Sequence, residues 1–269
     1  MTGPGKVPQS SITVFDSSRI IPGNLYDKIH GEFPGVVFVD HIGVDGRLKA
    51  EFKPNAIPYS ITSRNATGLD TTVTEAVYLI DAALLKGHVS SGVTLCAKNL
   101  FGATSINPDW HKDAHDGFPH NRDGSPSYAA IVDFWGHKDL GEKTFLFLID
   151  GLYGNENADP PPSHKWKMAP FNDAWPSSIF MSLDGVAIDS VGFDFLTSEW
   201  PNLVDIAMQT TTYAKPPLQT IRLLKRSTIL NATAYDAAAS AYLSIGTMEP
   251  TRSTRAISEK QTGLSFPVG

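Results

Sequence analysis

Lysine, histidine and aspartate recur where apolar stretches of this sequence stop. Val77 to Leu85 is almost continuously apolar, with Asp81 as its interruption, and it runs into Lys86-Gly87-His88. A lysine at a strand end beneath a covering loop loses solvation, so its pKa falls towards neutrality. It can then act as a base, a Schiff-base former or an anion clamp. His88 beside it is a natural proton carrier. The plainer alternative is a solvated lysine closing a strand and a histidine bonded to backbone. Four other apolar runs stop in the same way. Ile12 to Phe15 stops at Asp16 and Arg19, Val36 to Val39 at Asp40 and His41, Thr144 to Ile149 at Asp150, and Ser178 to Met181 ahead of Asp184. Ligands of open parallel sheets bind beyond the carboxyl ends of the strands, so these residues are expected on one rim. Aspartate is also a common turn former, which is the ordinary explanation for any one of them.

Further candidates lie off the strand ends. Lys98-Asn99 follows Ser91 by seven residues on a predicted helix, placing Lys98 as a second rim cation or a surface residue. Asp189 falls in the first turn of a helix starting near 186, with Asp184 as its cap. An acid there suits the helix dipole; the functional alternative is an acid/base or metal-binding role. Trp110, Tyr153, Trp166 and Trp175 sit in loops and read either as an apolar or cation-stabilising pocket wall or as loop anchors.

Metal and cofactor signatures are sparse. His111 and His115 have i,i+4 spacing, with Asp116 and His120 after them. No His-Glu-x-x-His motif accompanies them, and Pro108, Gly117 and Pro119 oppose a regular helix. Asp16, Asp40, Asp150 and Asp184 could hold Mg²⁺ or Ca²⁺ through oxygen, although there is no EF-hand pattern. A divalent metal therefore remains a candidate cofactor with no ligand set assigned. No P-loop, no Gly-x-Gly-x-x-Gly after the first strand and no Gly-x-Ser-x-Gly elbow occurs, so no nucleotide cofactor is expected. The single cysteine, Cys96, excludes an intramolecular disulfide and a cysteine-ligated zinc or iron–sulfur site, and it reads as a core residue.

The elements that must position these residues alternate. Between the strand-like runs lie helical patterns at Pro22–Glu32, Ser91–Phe101, Val186–Leu196 and Ala234–Leu243. The run at 77–85 fits either a buried strand or a helix, since Thr72-Val73-Thr74-Glu75 resembles a capping box. The alternation implies an α/β layered fold with a mostly parallel sheet flanked by helices, in one domain over residues 1–269. Residues 1–11 are expected as a flexible N-terminus, 107–127 and 154–176 as lid loops, and 249–269 as an extended tail.

Composition narrows the classes of partner. The 269 residues carry 22 Lys+Arg against 28 Asp+Glu, a formal charge of −6, and 41% are hydrophobic. That balance argues against nucleic-acid binding and against a disordered chain. No run approaches the roughly 20 apolar residues of a membrane span, and the polar start lacks a signal-peptide core, so a cytoplasmic protein without membrane contact is expected.

The segment Leu84-Leu85-Lys86-Gly87-His88, followed by Gly92-Val93-Thr94-Leu95-Cys96-Ala97-Lys98-Asn99-Leu100-Phe101-Gly102, resembles the uncharacterised family catalogued as domain of unknown function 362. Leu140 to Thr144 through Ile149 to Gly154, and Trp175 to Ser182 with Val186 to Ser190, are similar to that family too. The resemblance is collinear from about Ile12 to Ala187 and onward to Tyr242–Gly246. It implies an N-terminally shortened, divergent member, because similar bacterial proteins carry more chain before Ile12. It also implies loss of a His-Glu-His-Trp stretch, which here reads Thr247-Met248-Glu249-Pro250.

These readings converge on a small-molecule enzyme using acid/base chemistry at the carboxyl rim, of isomerase, lyase or cyclase type, with a place in secondary metabolism suggested by its divergence. Lys86 and His88 are assigned to proton transfer, and Lys98 to holding an oxyanion or carboxylate. Asp150 and Asp189 orient cations or a metal, and Asp16, Arg19, Asp40, His41, Asn99, Tyr153, Trp166 and Trp175 line the substrate. The alternatives are a metal-dependent hydrolase or lyase using the rim aspartates, and a non-catalytic ligand-binding or assembly protein. In the assembly reading a homodimer covers an exposed sheet edge.

Overall fold

The computed structural model describes residues 7–60, 66–88, 92–105, 130–157, 161–162 and 164–203. All of them belong to the compact unit Met1–Leu230. The histidine loop with Trp110, the expected helix at 234–243 and the tail after 249 lie outside the described residues.

The first layer is a β-α-β unit. Strand β1 (Thr13–Asp16), helix α1 (Gly23–Glu32), strand β2 (Val37–Asp40) and the short β3 (Leu48–Lys49) form a three-stranded parallel sheet in that strand order. Pro22 stands just before α1, where its missing N–H costs nothing. Tyr26 and Ile29 of that helix pack on Ile21, Val36 and Phe38. Strands β4 (Phe52–Ile57) and β5 (Thr67–Asp70) pair antiparallel, and the short helix α2 (Thr71–Glu75) follows. Its cap is Asp70, which accepts from Thr72 N at 2.7 Å, and not the Thr72–Glu75 box.

The larger sheet has four strands in the order β7-β6-β8-β9. Its elements are β6 (Leu79–His88), β7 (Gly92–Thr94), β8 (Thr144–Asn155) and β9 (Ser178–Ser182). The central β6–β8 pair is parallel, and both edge strands pair antiparallel. The fold is therefore α/β, with parallel pairing in the first sheet and at the centre of the second, and antiparallel edges. Helix α5 (Gly185–Glu199) lies on one face of this sheet. Its buried residues Gly185, Ile188, Asp189, Gly192 and Leu196 recur at helical spacing. A Cβ on Gly192 would come 2.9 Å from Leu95 Cδ2, so the two segments pack without room for a side chain.

Strand β6 alternates between buried and exposed residues along its length, which settles the strand-or-helix question at 77–85. Asp81, Ala83, Leu85 and Gly87 point into the helix-covered face. Ile80, Ala82 and Leu84 point to the other, where register sets Ala82 beside Leu148 and Met181, and Leu84 beside Asp150 and Ile179. Ile80, Leu84, Ile179 and Met181 are exposed. An apolar run of this kind suits a strand covered on both faces, yet among the described residues nothing covers the second face.

The expected helix Ser91–Phe101 divides into three. Gly92-Val93-Thr94 pairs with Lys86–His88 as β7, one turn of helix α3 (Cys96–Asn99) follows, and Leu100–Ala103 tightens into a 3-10 turn. Val93 and Thr94 are β-branched, and the waiting strand edge outweighs the weak helical pattern. Helix α4 (Ala130–Gly136) precedes β8.

Candidate functional site

Lysine 86 and His88 lie on one face of β6 at its carboxyl end, with Gly87 between them facing inward. That glycine is obligatory: a Cβ there would overlap the Glu156 carbonyl oxygen. Opposite, β8 takes five residues to cover the step from Leu84 to Lys86, pairing Leu84 with Asp150 and Lys86 with Asn155. The bulge passes through Gly154 at φ +68° and turns Tyr153 outward against Trp175, with ring centroids 5.2 Å apart.

Lysine 98 stands on α3, and its ammonium lies 5.9 Å from the Phe101 ring centroid. Burial lowers its pKa first, and the charges of Lys86 and Arg19 lower it further, to about 8. Two cations from two other elements are thus near enough to act on Lys98. Arg19 is brought there by a tight turn at the end of β1. Asp16 Oδ1 accepts from Ser18 N at 3.1 Å, Ser18 Oγ at 2.8 Å and Arg19 N at 3.1 Å. The 3-10 turn after α3 packs on this turn, since a Cβ on Gly102 would sit 3.6 Å from both Asp16 Oδ1 and Ser18 Oγ. His41 joins the same loop through Nδ1, 3.2 Å from the Ser17 carbonyl oxygen.

Other expected site residues serve the scaffold. Asp40 is wholly buried; it accepts from Ile21 N, Ile42 N and Gly43 N and pairs with Arg47 at 3.5 Å. It shapes the loop and is closed to a substrate. Asp189 is buried too, and its two oxygens accept from Cys96 N and Ala97 N at 2.8 Å each. It caps α3, not its own helix, where Asp184 does that work through Val186 N and Ala187 N. Trp166 is 0% exposed and packs against Trp200 at 4.9 Å and Phe171 at 5.4 Å. It is an anchor for the 164–176 segment and not a pocket wall. Asp150 lies within β8, not at its end, and its carboxylate accepts from Leu152 N. Asp184 leaves the rim altogether, because β9 runs antiparallel to β8 and delivers it to the opposite end.

Asn99 is exposed, yet its amide nitrogen is already engaged within the fold. It donates to Asp81 Oδ1 at 2.6 Å and to the Ala82 carbonyl oxygen at 3.3 Å. Asp81 is the residue whose role the sequence understated, although a lone acid in an apolar strand was its signal. It is 3% exposed, and its Oδ2 has no hydrogen-bond partner among the described residues. Burial drives its pKa well above the usual carboxylate range. Burial likewise lifts Asp189 to about 7 against the pull of its two backbone N–H donors. The Cys96 thiol is also pushed up by burial and by these two acids, and it stays a protonated core group. Among the described residues, no group of three or more His, Cys, Asp or Glu side chains could hold a metal ion. No helix there is long and apolar enough to cross a membrane.

A family model described as a domain of unknown function, DUF362, matches residues 40–194. No curated protein and no solved structure matches the chain. The matched span runs from the last residue of β2 into α5 and holds Asp81, Lys86, Lys98 and Asp189, while Arg19 precedes it. It covers more than half of the 269 residues, and the chain belongs to the DUF362 family.

Proposed function

We propose that this protein is a small-molecule acid/base enzyme whose substrate is an anion and whose proton carrier is Lys98. The observation that carries this reading is the placement of Lys98 on α3, its ammonium 5.9 Å from the Phe101 ring centroid and within reach of the Lys86 and Arg19 charges, which with burial lower its pKa to about 8. A lysine with that pKa is neutral in about one tenth of molecules at pH 7, enough to accept a proton. Lys86 and Arg19 supply fixed positive charge for a carboxylate or phosphate on the substrate. A proton leaving the substrate goes to Lys98 Nζ, and the negative charge left behind faces these two cations. Isomerisation, elimination and cyclisation that proceed through a carbanion or enolate all begin with such a step. Compared with the sequence reading, proton transfer passes from Lys86 to Lys98, and Lys86 becomes an anion holder. His88, at the same strand end, is the second candidate proton carrier.

Competitive acetylation with acetic anhydride from pH 6 to 11, read residue by residue by mass spectrometry, tests this. Lys98 is expected to titrate near 8, and a panel of small carboxylates and phosphates is expected to contain one that protects it and raises its pKa. Titration of Lys98 near its ordinary value of 10.5 would sink the reading.

A second reading, a non-catalytic binding or assembly protein, is favoured by the open sheet face of Ile80, Leu84, Ile179 and Met181. Its test is the mass in solution: a dimer supports it, and a monomer at high concentration counts against it.

A further inference from the structure

We propose that Asp189 is a positioning residue for Lys98, holding in place from α5 the single helical turn that carries it. The inference rests on the proton-carrier reading of Lys98 and adds to it a residue that touches no ligand.

One turn of helix cannot hold itself. Nucleating a turn fixes several backbone dihedrals for a single hydrogen bond, so α3 persists only through contacts outside itself. Asp189 supplies them at the start, with one carboxylate oxygen 2.8 Å from Cys96 N and the other 2.8 Å from Ala97 N. Asn99 fixes the far end by its bonds to Asp81 Oδ1 and the Ala82 carbonyl oxygen of β6. Lys98 lies between these two points. The contact at Gly192 brings α5 tight against Leu95, the residue preceding α3, so the carboxylate reaches the turn without slack.

Among the described residues, the titratable groups that feel Asp189 are the Cys96 thiol on α3 and Asp81 on β6, and neither is a cation. The two N–H groups and the Cys96 thiol favour its charged form, and burial outweighs them to lift its pKa to about 7. The same geometry removes the start of α3 from the substrate. Its first two N–H groups are already taken by a carboxylate, so an anion must be held by side chains.

The test is the acetic anhydride titration of Lys98 in the full-length Asp189→Asn variant, with circular dichroism to verify folding. An amide keeps the shape but can accept through one oxygen only, so α3 loosens and Lys98 gains solvent. Its pKa is expected to rise by about one unit towards the ordinary lysine value. Loss of the negative charge without movement would shift Lys98 slightly downward, so an unchanged or lower pKa overturns the proposal. If the variant does not fold, Asp189→Glu carries the test, since it keeps the charge and displaces the carboxylate by one methylene. The same upward shift supports the proposal there, and a wild-type titration overturns it. Wild-type protein whose Lys98 titrates near its ordinary value would sink the proton-carrier reading instead, so the two failures are distinguishable.

Discussion

Asn99 Nδ2 lies 2.6 Å from Asp81 Oδ1, and this is the side-chain hydrogen bond that the buried carboxyl group receives. The pair ties the end of α3 to the middle of β6. Asn99→Ala leaves a polar group at 3% exposure with no side-chain partner among the described residues. The expected cost is about 1–3 kcal/mol of stability, measured as a lower urea midpoint with unchanged slope. A midpoint equal to wild type would show that the bond contributes nothing net.

Asp189 gives stability a definite pH dependence. Its folded pKa, about 7, exceeds its ordinary value of 3.8. Between those values the native state holds a proton that the unfolded chain has released. Its contribution is thus fully present below the unfolded pKa and is lost as pH rises to about 7. The Asp189→Asn variant lacks this slope. Wild type is expected to exceed the variant by more at pH 5 than at pH 8 in urea unfolding, and parallel pH curves would contradict the assignment.

Substituting Gly87 tests the spacing of Lys86 and His88. An alanine would drive its Cβ into the Glu156 carbonyl and crowd Leu203. Overpacking of this kind costs about 1–3 kcal/mol. Gly87→Ala is expected to lower the melting temperature, and Gly31→Ala, where an added Cβ meets nothing within 4 Å, is expected not to. Equal melting behaviour in the two variants would mean the strand end gives way.

Arg47 is the partner of the buried Asp40, with its guanidinium 4.7 Å above the Tyr26 ring. Arg47→Met strands a buried anion, at an expected cost of about 3 kcal/mol. Asp40→Asn in the same background is expected to recover part of the loss, because the uncompensated charge is then gone. A double variant no more stable than Arg47→Met would show that the backbone bonds of Asp40 alone had neutralised it.

Strands β1, β2, β8 and β9 and helices α1 and α5 are legible as apolar runs and helical spacing, because each follows from its own residues, whereas the run of β6 fits a strand or a helix equally until its pairing is seen. The antiparallel edges are not legible, since direction of pairing depends on partners far along the chain. That error moved Asp184 onto the wrong end of the sheet. At the site, Lys86 and Lys98 can be picked out by type and position. Asp189 and Trp166 cannot be placed, because an acid or an indole in a sequence looks the same whether it faces solvent or seals a core. Their contacts with residues 96–97 and with Trp200 exist only once α5 is packed.

The pinning of α3 at both ends has an entropic consequence. A ligand that meets a mobile lysine must order both backbone and side chain, at roughly 1–2 kcal/mol for each backbone residue fixed. Here the backbone of Lys98 is already set by α5 and β6, and its ammonium is held near Phe101. For the proposed anionic substrate, the protein's share of the ordering cost then falls chiefly on the rotamers of the lysine, and the backbone adds little to the cost of association.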